Sequence, residues 1–218
     1  MRTLQECADG KLSDKGQARP CGQSLAQIYE PYMAPMRTRP RGLVCELGVS
    51  GGGSLSMWSE YFGWPVLGVD VQANCTQYID HKREIDVLVA GQDAPEVHDA
   101  VKARGGADVI LDDAAHLTEL MVRSFSLLWP LVKPGGLYII EDTLLTYVRD
   151  IAAEVKAGGW GGMDACKVKL ENNRQDIEKL LASLASSIDT ANIENGVASY
   201  HVHPQTIIIR KIGNVTTG

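Results

Sequence analysis

The chain has 218 residues, of which 44% are hydrophobic and 22% charged, and its formal net charge is −6. A chain of this length folds as one domain, or as one domain with a modest extension, and its core needs no disulfide or structural metal. The acidic balance and the scattered basic residues disfavour nucleic acid as a main partner, because phosphate neutralisation needs a basic face. No apolar run approaches the roughly 18 residues that a membrane span needs.

The N-terminal residues contain no apolar stretch behind a basic one. We therefore expect no secretory signal, a cytoplasmic location and no membrane partner. The five cysteines are odd in number and show no C-x-x-C spacing, which disfavours a disulfide framework or a zinc ribbon and predicts reduced thiols. The one basic cluster, Arg37, Arg39 and Arg41, is interpreted as a solvated linker, with an acidic substrate or partner as the alternative.

Residues 1–40 are predicted to form an N-terminal extension or cap ahead of a main domain over residues 41–218. The first part of this extension is polar. The following segment, residues 24–36, is amphipathic and is interrupted by Pro31 and Pro35. This segment is expected to cover the main sheet or to contact a cofactor.

From residue 43 onward, short apolar runs alternate with segments of helical spacing, which is typical of βαβ units and a mainly parallel sheet. The fold class is therefore α/β. The predicted strands are residues 43–47, 66–70, 85–89, 108–112 and 136–141. The predicted helices between them are residues 54–62, 95–104 and 117–132, the last closed by a Lys-Pro-Gly-Gly sequence.

The C-terminal part of the chain is predicted to hold a loop, a helix and a hairpin. Residues 143–171 include Gly158, Gly159, Gly161 and Gly162, too many glycines for a helix interior. They are interpreted as a lid over the site, with an ordinary surface loop as the alternative. A helix over residues 172–187 precedes two strands, 197–202 and 206–212, whose short connection requires an antiparallel hairpin.

A glycine-rich loop follows the first strand and opens a helix, a junction at which backbone N–H groups can face a nucleotide. Its candidate cofactor residues are Gly48, Ser50, Gly52, Gly53 and Ser54. Asp70 ends the second strand 22 residues after Gly48, where a carboxylate can accept hydrogen bonds from both ribose hydroxyls. The sequence therefore predicts a nucleotide-type cofactor.

Glu46 distinguishes between two cofactors. It precedes the glycine loop, where a carboxylate would repel the pyrophosphate of a nicotinamide dinucleotide. The same carboxylate suits the sulfonium and ammonium of S-adenosylmethionine (SAM), which is the predicted cofactor. After the third strand, Gln92 and Asp93 are candidates to read the adenine, although Asp93 also matches the N-cap of the following helix.

Acidic residues follow the fourth and fifth strands, whose carboxyl ends share one crevice. They are Asp112, Asp113, Glu141 and Asp142. Such a cluster repels itself unless it is protonated or binds a hard cation such as Mg²⁺ or Mn²⁺. Side chains alternate along a strand, so only one of the two adjacent aspartates is expected to reach a metal.

Two further interpretations of this region are kept. The strand-end acids could instead cap the following helices. His116 lies three residues from a candidate ligand and is a candidate general base for a metal-bound hydroxyl.

These residues resemble the class I SAM-dependent, metal-dependent sugar O-methyltransferases, a group that includes macrolide deoxysugar methyltransferases and cephalosporin-hydroxylase-like proteins. The resemblance is carried by the segments Ser13–Gly16, Glu46–Val49, Gly52–Leu55, Gly68–Asp70, the D-D-x-x-H of residues 112–116, the E-D-T of residues 141–143 and the closing residues 207–211. It implies a Rossmann-like class I methyltransferase fold, a seven-stranded, mostly parallel sheet with a C-terminal antiparallel hairpin.

The resemblance also implies roles for single residues. Asp113, Glu141 and Asp142 are expected to bind Mg²⁺, and His116 is expected to be the base, so Asp113 and His116 are the catalytic candidates. Independently of the resemblance, Asp112 is a candidate cofactor residue, and Mn²⁺ is the alternative metal. The chain departs from the family in two ways: no histidine soon follows the S-D-K-G stretch, and the chain is short for a macrolide enzyme.

The predicted activity is methyl transfer from SAM to a hydroxyl of a sugar, a glycoside or an oligosaccharide that carries a neighbouring oxygen. The protein is expected to be a homo-oligomer. The alternatives are an O-methyltransferase of a non-sugar diol or catechol-like acceptor, a nicotinamide oxidoreductase, and a non-catalytic SAM-binding partner in a biosynthetic cluster.

Overall fold

The computed structural model describes residues 1–11, 13–147, 173–190 and 196–213. Its centre is a seven-stranded sheet in the order β3-β2-β1-β4-β5-β7-β6. The strands are β1 Val44–Leu47, β2 Val66–Asp70, β3 Ile85–Val89, β4 Ala107–Asp112, β5 Val132–Ile140, β6 Val197–His203 and β7 Thr206–Lys211. The first five are parallel, and β7 pairs antiparallel with both β5 and β6. The predicted fold and the C-terminal hairpin are confirmed.

Helices cover both faces of the sheet, as the buried apolar strands require. They are α1 Leu4–Ala8, α2 Leu25–Met33, α3 Gly53–Phe62, α4 Pro95–Ala103, α5 Thr118–Leu128 and α6 Arg174–Asp189. One apolar core joins α1, α2 and α3 to one face of the sheet, and a second core joins α4, α5 and α6 to the other.

The N-terminal extension, residues 1–40, contributes directly to the first core. Leu4, Leu25 and Tyr29 are fully buried there together with Trp58 of α3. Both α1 and α2 begin with a capping box, at Thr3 and Ser24, so these short helices have well-defined starts. The extension therefore lies on the face of the sheet that α3 also covers.

The three arginines of residues 37–41 are engaged within the chain. Arg39 pairs with Asp108, and Arg41 pairs with Glu84. The guanidinium of Arg37 lies 4.2 Å from the ring centre of Tyr61. They link the segment before β1 to β4, to the residue before β3 and to helix α3.

Some boundaries differ from the sequence prediction. The helix after β4 ends at Leu128, because Pro130 interrupts the pattern, and residues Trp129–Leu131 form a 3-10 turn. Strand β5 begins at Val132, ahead of the predicted residue 136, with a register irregularity against β4. Helix α6 runs to Asp189, two residues beyond the predicted end.

The predicted N-cap role of Asp93 is wrong. Helix α4 starts at Pro95 with Ala94 as the N-cap and without a side-chain cap. The helix-cap interpretation of the acids after β4 is also wrong, because Leu117 is the N-cap of α5 and no side chain caps it.

Among the described residues, no helix is long and apolar enough to cross a membrane. Cys7, Cys21, Cys45 and Cys75 are free thiols. Of the predicted lid, residues 143–171, the structure describes residues Thr143–Tyr147, which form a 3-10 helix. The rest of that segment, with its glycines and Cys166, lies outside the described residues.

Candidate functional site

The candidate site lies at the carboxyl ends of β1, β4 and β5. The strand order reverses between β1 and β4, so the loops that follow these two strands diverge and leave a crevice, the usual ligand position in an open α/β sheet. The glycine-rich loop follows β1, and the acidic segments follow β4 and β5.

The glycine-rich loop is held by Asp70. One carboxylate oxygen of Asp70 accepts hydrogen bonds from the backbone N–H groups of Val49 and Ser50, at 2.9 and 3.2 Å. The other accepts from Gln72 N at 2.9 Å. Asp70 therefore shapes the loop. Because a carboxylate has about four acceptor positions, the predicted contact with a ribose can be made in addition to these backbone hydrogen bonds.

Gly48 permits a close approach between the glycine loop and the segment after β4. Its φ is +92°, and a Cβ atom there would lie 2.1 Å from the carbonyl oxygen of Asp113. No side chain larger than hydrogen fits this contact. The candidate cofactor loop and the candidate metal residues are thereby packed backbone to backbone.

Glu46 is fully buried at the end of β1. Its Oε2 accepts a hydrogen bond of 2.6 Å from the hydroxyl of Ser54, and its Oε1 has no hydrogen-bond partner among the described residues. Burial raises the pKa of Glu46 to about 7, against the lowering effect of Lys15. A cationic ligand at Oε1 would stabilise the ionised form.

Three of the predicted residues meet at one point. Ligand atoms of Asp113, His116 and Asp142 all lie within 4.8 Å of one another. His116 Nε2 is 3.6 Å from Asp142 Oδ2 and 4.0 Å from Asp113 Oδ1. This group is partly buried, which suits a ligand that arrives from solvent.

The backbone at this point is strained. His116 and Asp142 have φ values of +54° and +50°, a region that side-chain-bearing residues rarely adopt. Such strain persists where the surrounding structure enforces it, and it is concentrated at functional sites. Here it turns both side chains into one crevice from two different strand ends.

Glu141 lies deeper than these three residues. It is fully buried, and its Oε2 is 3.0 Å from Lys15 Nζ. Its Oε1 has no hydrogen-bond partner among the described residues. Burial and the charge of Asp113 raise the pKa of Glu141 well above its ordinary value, against the lowering effect of Lys15. The structure thus leaves one buried carboxylate oxygen of Glu141 for a further ligand.

Lys15 is a site residue that the sequence analysis did not single out. Its side chain is 2% exposed, and its Nζ is 2.6 Å from Asp113 Oδ2 and 3.8 Å from Glu46 Oε1. Burial alone would lower the pKa of Lys15, but the surrounding carboxylates, with Asp113 first, hold it well above its ordinary value. In the sequence, only the family resemblance of the segment Ser13–Gly16 pointed to Lys15. A single lysine in a polar stretch has no distinctive periodicity.

Arg19 is a second cation from the same N-terminal segment. It pairs with Asp14 at 2.5 Å, and its Nη1 is 3.6 Å from Asp142 Oδ1. The same Nη1 donates to Gln205 in the turn between β6 and β7. The N-terminal segment thus forms one wall of the site and supplies two fixed positive charges to it.

Asp112 and Gln92 lie away from the group of Asp113, in a buried network. The Nε2 of Gln92 donates to both carboxylate oxygens of Asp112, at 2.9 and 3.1 Å. Its Oε1 accepts from Ala115 N at 3.0 Å, which fixes the loop between β4 and α5. Ser124 and Tyr138 also donate to Asp112. The alternation of side chains along β4 therefore places Asp112 and Asp113 in different surroundings, as predicted.

Asp93, the other candidate for reading the adenine, lies near the surface. Its Oδ2 is 3.5 Å from Nη1 of Arg123, whose second nitrogen pairs with Glu119.

The arrangement suits a positively charged ligand, a divalent cation and the acceptance of a proton. The glycine loop presents backbone N–H groups at a helix start, next to the buried acid Glu46, which suits a ligand with a positive charge. Carboxylates at the ends of two strands suit a divalent cation with oxygen ligands. An imidazole beside them can accept a proton.

The sheet order and the position of this site define the fold as Rossmann-like, of the class I methyltransferase type, with a C-terminal antiparallel hairpin. The crystal structure of MycE, a methyltransferase of the mycinamycin biosynthetic pathway in complex with Mg and SAH, matches 100% of this chain. The match has a TM-score of 0.73 and 26% sequence identity, and it covers 56% of the MycE chain. A second MycE structure also contains mycinamycin VI.

Curated relatives are similar in sequence over about half of this chain. The 8-demethyl-8-alpha-L-rhamnosyl tetracenomycin-C 2'-O-methyltransferase of Streptomyces olivaceus is 38% identical over 128 residues, which are 55% of this chain and 33% of the relative. Demethylmacrocin O-methyltransferase of Streptomyces fradiae is 35% identical over 113 residues, 48% of this chain and 28% of the relative. The alignments thus span about a third of each curated relative. No family model matches the chain.

Proposed function

We propose that this protein transfers a methyl group from SAM to a hydroxyl of a sugar, with the assistance of a divalent cation. The observation that carries the proposal is the convergence of Asp113, Asp142 and His116 beside the glycine-rich loop. The similarity of this chain to sugar O-methyltransferases supports the same reaction.

The residues around the loop fit SAM. Glu46 offers a buried carboxylate oxygen with no hydrogen-bond partner among the described residues, which suits the ammonium of the methionine part. Asp70 holds the loop and lies at the end of the neighbouring strand, where a ribose would be within its reach. The loop residues proposed to surround the cofactor are Gly48, Ser50, Gly52, Gly53 and Ser54.

The remaining predicted cofactor residues take two roles in the proposal. Gln92 and Asp112 are proposed to act indirectly, because their polar atoms hold the loop after β4 in place. Asp93 is proposed to contact the adenine, since it follows β3 at the same edge of the sheet and does not cap α4.

The acidic residues fit a divalent cation. Asp113 and Asp142 are proposed as ligands from the partly buried group, and Glu141 as the third through its buried oxygen without a hydrogen bond. Hard oxygen ligands select Mg²⁺ or Mn²⁺ over softer metals. When bound, the cation lowers the pKa of a coordinated hydroxyl, and SAM supplies an electrophilic methyl group.

His116 is proposed as the general base. Its Nε2 faces the same point as Asp113 and Asp142, so a hydroxyl held there would be within reach of the imidazole. Asp142, 3.6 Å away, would stabilise the imidazolium after the proton is taken.

The acceptor is proposed to be a small molecule that carries a sugar, with two neighbouring oxygens to reach the cation. Mycinamycin VI, the ligand in one MycE complex, and the rhamnosyl tetracenomycin named for the Streptomyces olivaceus relative support this class. This chain spans little more than half of MycE, so oligosaccharides and diols are also included among the acceptors to be tested. The homo-oligomeric state and the cytoplasmic location stay predictions from the sequence.

The first experiment is a calorimetric titration with S-adenosylhomocysteine, the demethylated product, with NAD⁺ as the matched control and Mg²⁺ in both. We expect a micromolar dissociation constant for the former, equivalent to about −8 kcal/mol, and no binding of NAD⁺. A sugar and glycoside acceptor screen with and without EDTA then tests turnover. Binding of NAD⁺ alone would contradict the assignment of Glu46, and cofactor binding without turnover on any acceptor would favour a non-catalytic partner.

A further inference from the structure

Lys15 is surrounded by the same acids that are proposed to bind the divalent cation. Its Nζ lies 2.6 Å from Asp113 Oδ2 and 3.0 Å from Glu141 Oε2. Glu46 and Asp14 follow at 3.8 and 3.5 Å. The ammonium thus has four carboxylates around it and is removed from solvent.

We propose that Lys15 is a placeholder cation: its ammonium balances the acidic crevice when no divalent cation is bound, and it weakens the hold of the crevice on that cation. Lys15 is a positioning residue in this proposal, because it acts through the carboxylates and touches no substrate. The inference rests on the proposed metal site.

Asp113 is shared between the two cations. Its Oδ2 faces Lys15, and its Oδ1 lies 4.0 Å from His116 Nε2, on the side where Asp142 also converges. Glu141 is divided in the same way, with Oε2 toward Lys15 and Oε1 without a hydrogen-bond partner among the described residues. A carboxylate that neutralises an ammonium attracts a second cation less strongly, and the two positive charges repel each other at short range.

The position of Lys15 is set by the N-terminal segment and not by the acids alone. Residues Asp14–Gly16 form a 3-10 turn whose start is capped by the hydroxyl of Ser13. The carbonyl of Gly16 accepts a hydrogen bond of 3.0 Å from the side chain of Gln5. A Cβ atom on Gly16 would lie 3.0 Å from that of Ala8, so this turn is packed directly against α1. The ammonium is therefore held in the crevice by a capped backbone turn that is packed against α1.

Charge explains why such a residue is needed. Glu46 and Glu141 are fully buried, and a buried carboxylate without a counter-charge is strongly unfavourable. With Lys15 in place, the acids keep their arrangement in the metal-free state.

The test compares Lys15→Met, which keeps an unbranched side chain only one atom shorter and removes its charge, with wild type. The matched control is Lys11→Met, since Lys11 belongs to the same segment but pairs with Glu60 at 2.8 Å, outside the site. Two quantities are measured for each protein: the Mn²⁺ dissociation constant by electron paramagnetic resonance, and the thermal midpoint in EDTA and in saturating Mg²⁺.

We expect Lys15→Met to bind Mn²⁺ at least about tenfold more tightly than wild type, because a unit positive charge beside the ligands is gone. Its midpoint in EDTA should fall by roughly 10 °C, and Mg²⁺ should restore most of the loss. Lys11→Met should match wild type in Mn²⁺ affinity and in its response to Mg²⁺.

Several outcomes would overturn the inference. Unchanged or weaker Mn²⁺ binding by Lys15→Met would show that the residue only supports packing. Failure of Lys15→Met to fold in EDTA and in Mg²⁺ alike would show that a divalent cation cannot replace the ammonium. If wild type binds no Mn²⁺, the metal part of the proposed function fails and the placeholder role falls with it, whereas tight binding to wild type and no change in the variant overturns the role of Lys15 alone.

Discussion

Replacement of the buried acid Glu46 by glutamine tests the electrostatics of the site most directly. The pKa of Glu46 is raised from 4.5 to about 7. An unfolded chain therefore releases this proton at a lower pH than the folded protein does. The contribution of Glu46 to the free energy of unfolding is fully present below about pH 4.5, and it is lost as the pH rises through 7. At about 1.4 kcal/mol per pKa unit, the loss between pH 5 and pH 8 is about 2–3 kcal/mol.

The variant Glu46→Gln has no titrating group at this position. Its free energy of unfolding should rise relative to wild type by about 2–3 kcal/mol as the pH goes from 5 to 8, measured by urea denaturation at each pH. Asp112, whose pKa is also raised to about 7, is present in both proteins, so its contribution cancels in the difference. The control is Glu119→Gln on the exposed side of α5.

A difference between wild type and Glu46→Gln that stays flat from pH 5 to pH 8 would refute the reasoning. The same variant should bind S-adenosylhomocysteine about 10- to 100-fold more weakly, because a charge-assisted hydrogen bond to its ammonium contributes about 1.5–3 kcal/mol. A protein that is more stable and binds less well is the expected signature of an acid kept for function. Equal binding by the two proteins would remove Glu46 from the cofactor site.

Three further predictions concern the metal residues and the loop contact. Asp113→Asn should abolish metal-stimulated turnover and leave the calorimetric affinity for S-adenosylhomocysteine nearly intact; a loss of that affinity with metal-independent turnover would contradict its role. His116→Ala should lower turnover by roughly 10²–10⁴ in a methyl-transfer assay, and near-normal turnover would reduce it to a structural residue. Gly48→Ala should cost about 2–4 kcal/mol in urea denaturation, since its Cβ would meet a carbonyl at 2.1 Å and its φ is positive. Gly63→Ala, with positive φ and no atom within 4 Å of its Cβ, should cost only about 1–2 kcal/mol, and equal losses would argue against the close approach.

The strands and the fold class were predictable because each strand has a simple local signal. The parallel strands are short apolar runs flanked by polar or glycine residues, a pattern that depends on burial of both sheet faces. The hairpin was predictable because two residues, Pro204 and Gln205, cannot span a crossover connection. Boundaries at Pro130 and before β5 were less accurate, because the exact end of an element depends on its packing.

The site was partly predictable for a related reason. Parallel strands bring their carboxyl ends to one edge, so acids that follow β4 and β5 must lie near one another. The convergence of Asp113, His116 and Asp142 follows from this rule and from the resemblance. The different surroundings of Asp112 and Asp113 follow from the alternation of side chains along a strand.

Other features depended on contacts between distant segments, which have no local signature. Lys15 is 98 residues from Asp113 in the chain, and Arg19 is 186 residues from Gln205. Asp93 matched the local pattern of a helix cap, yet the helix begins two residues later with Ala94 as its N-cap. Local sequence rules describe which conformations a segment favours, and tertiary packing selects among them.

By itself, the amino-acid sequence determined the α/β class, the order of the strands along the chain and the presence of acids and glycines at strand ends, because periodicity, chain polarity and turn chemistry act over a few residues. Only the tertiary structure decided the neutralisation of those acids by Lys15 and Arg19 from the N-terminal segment and the backbone strain at His116 and Asp142. Burial and charge balance are properties of the assembled fold, since the energy of a carboxylate depends on every group packed around it.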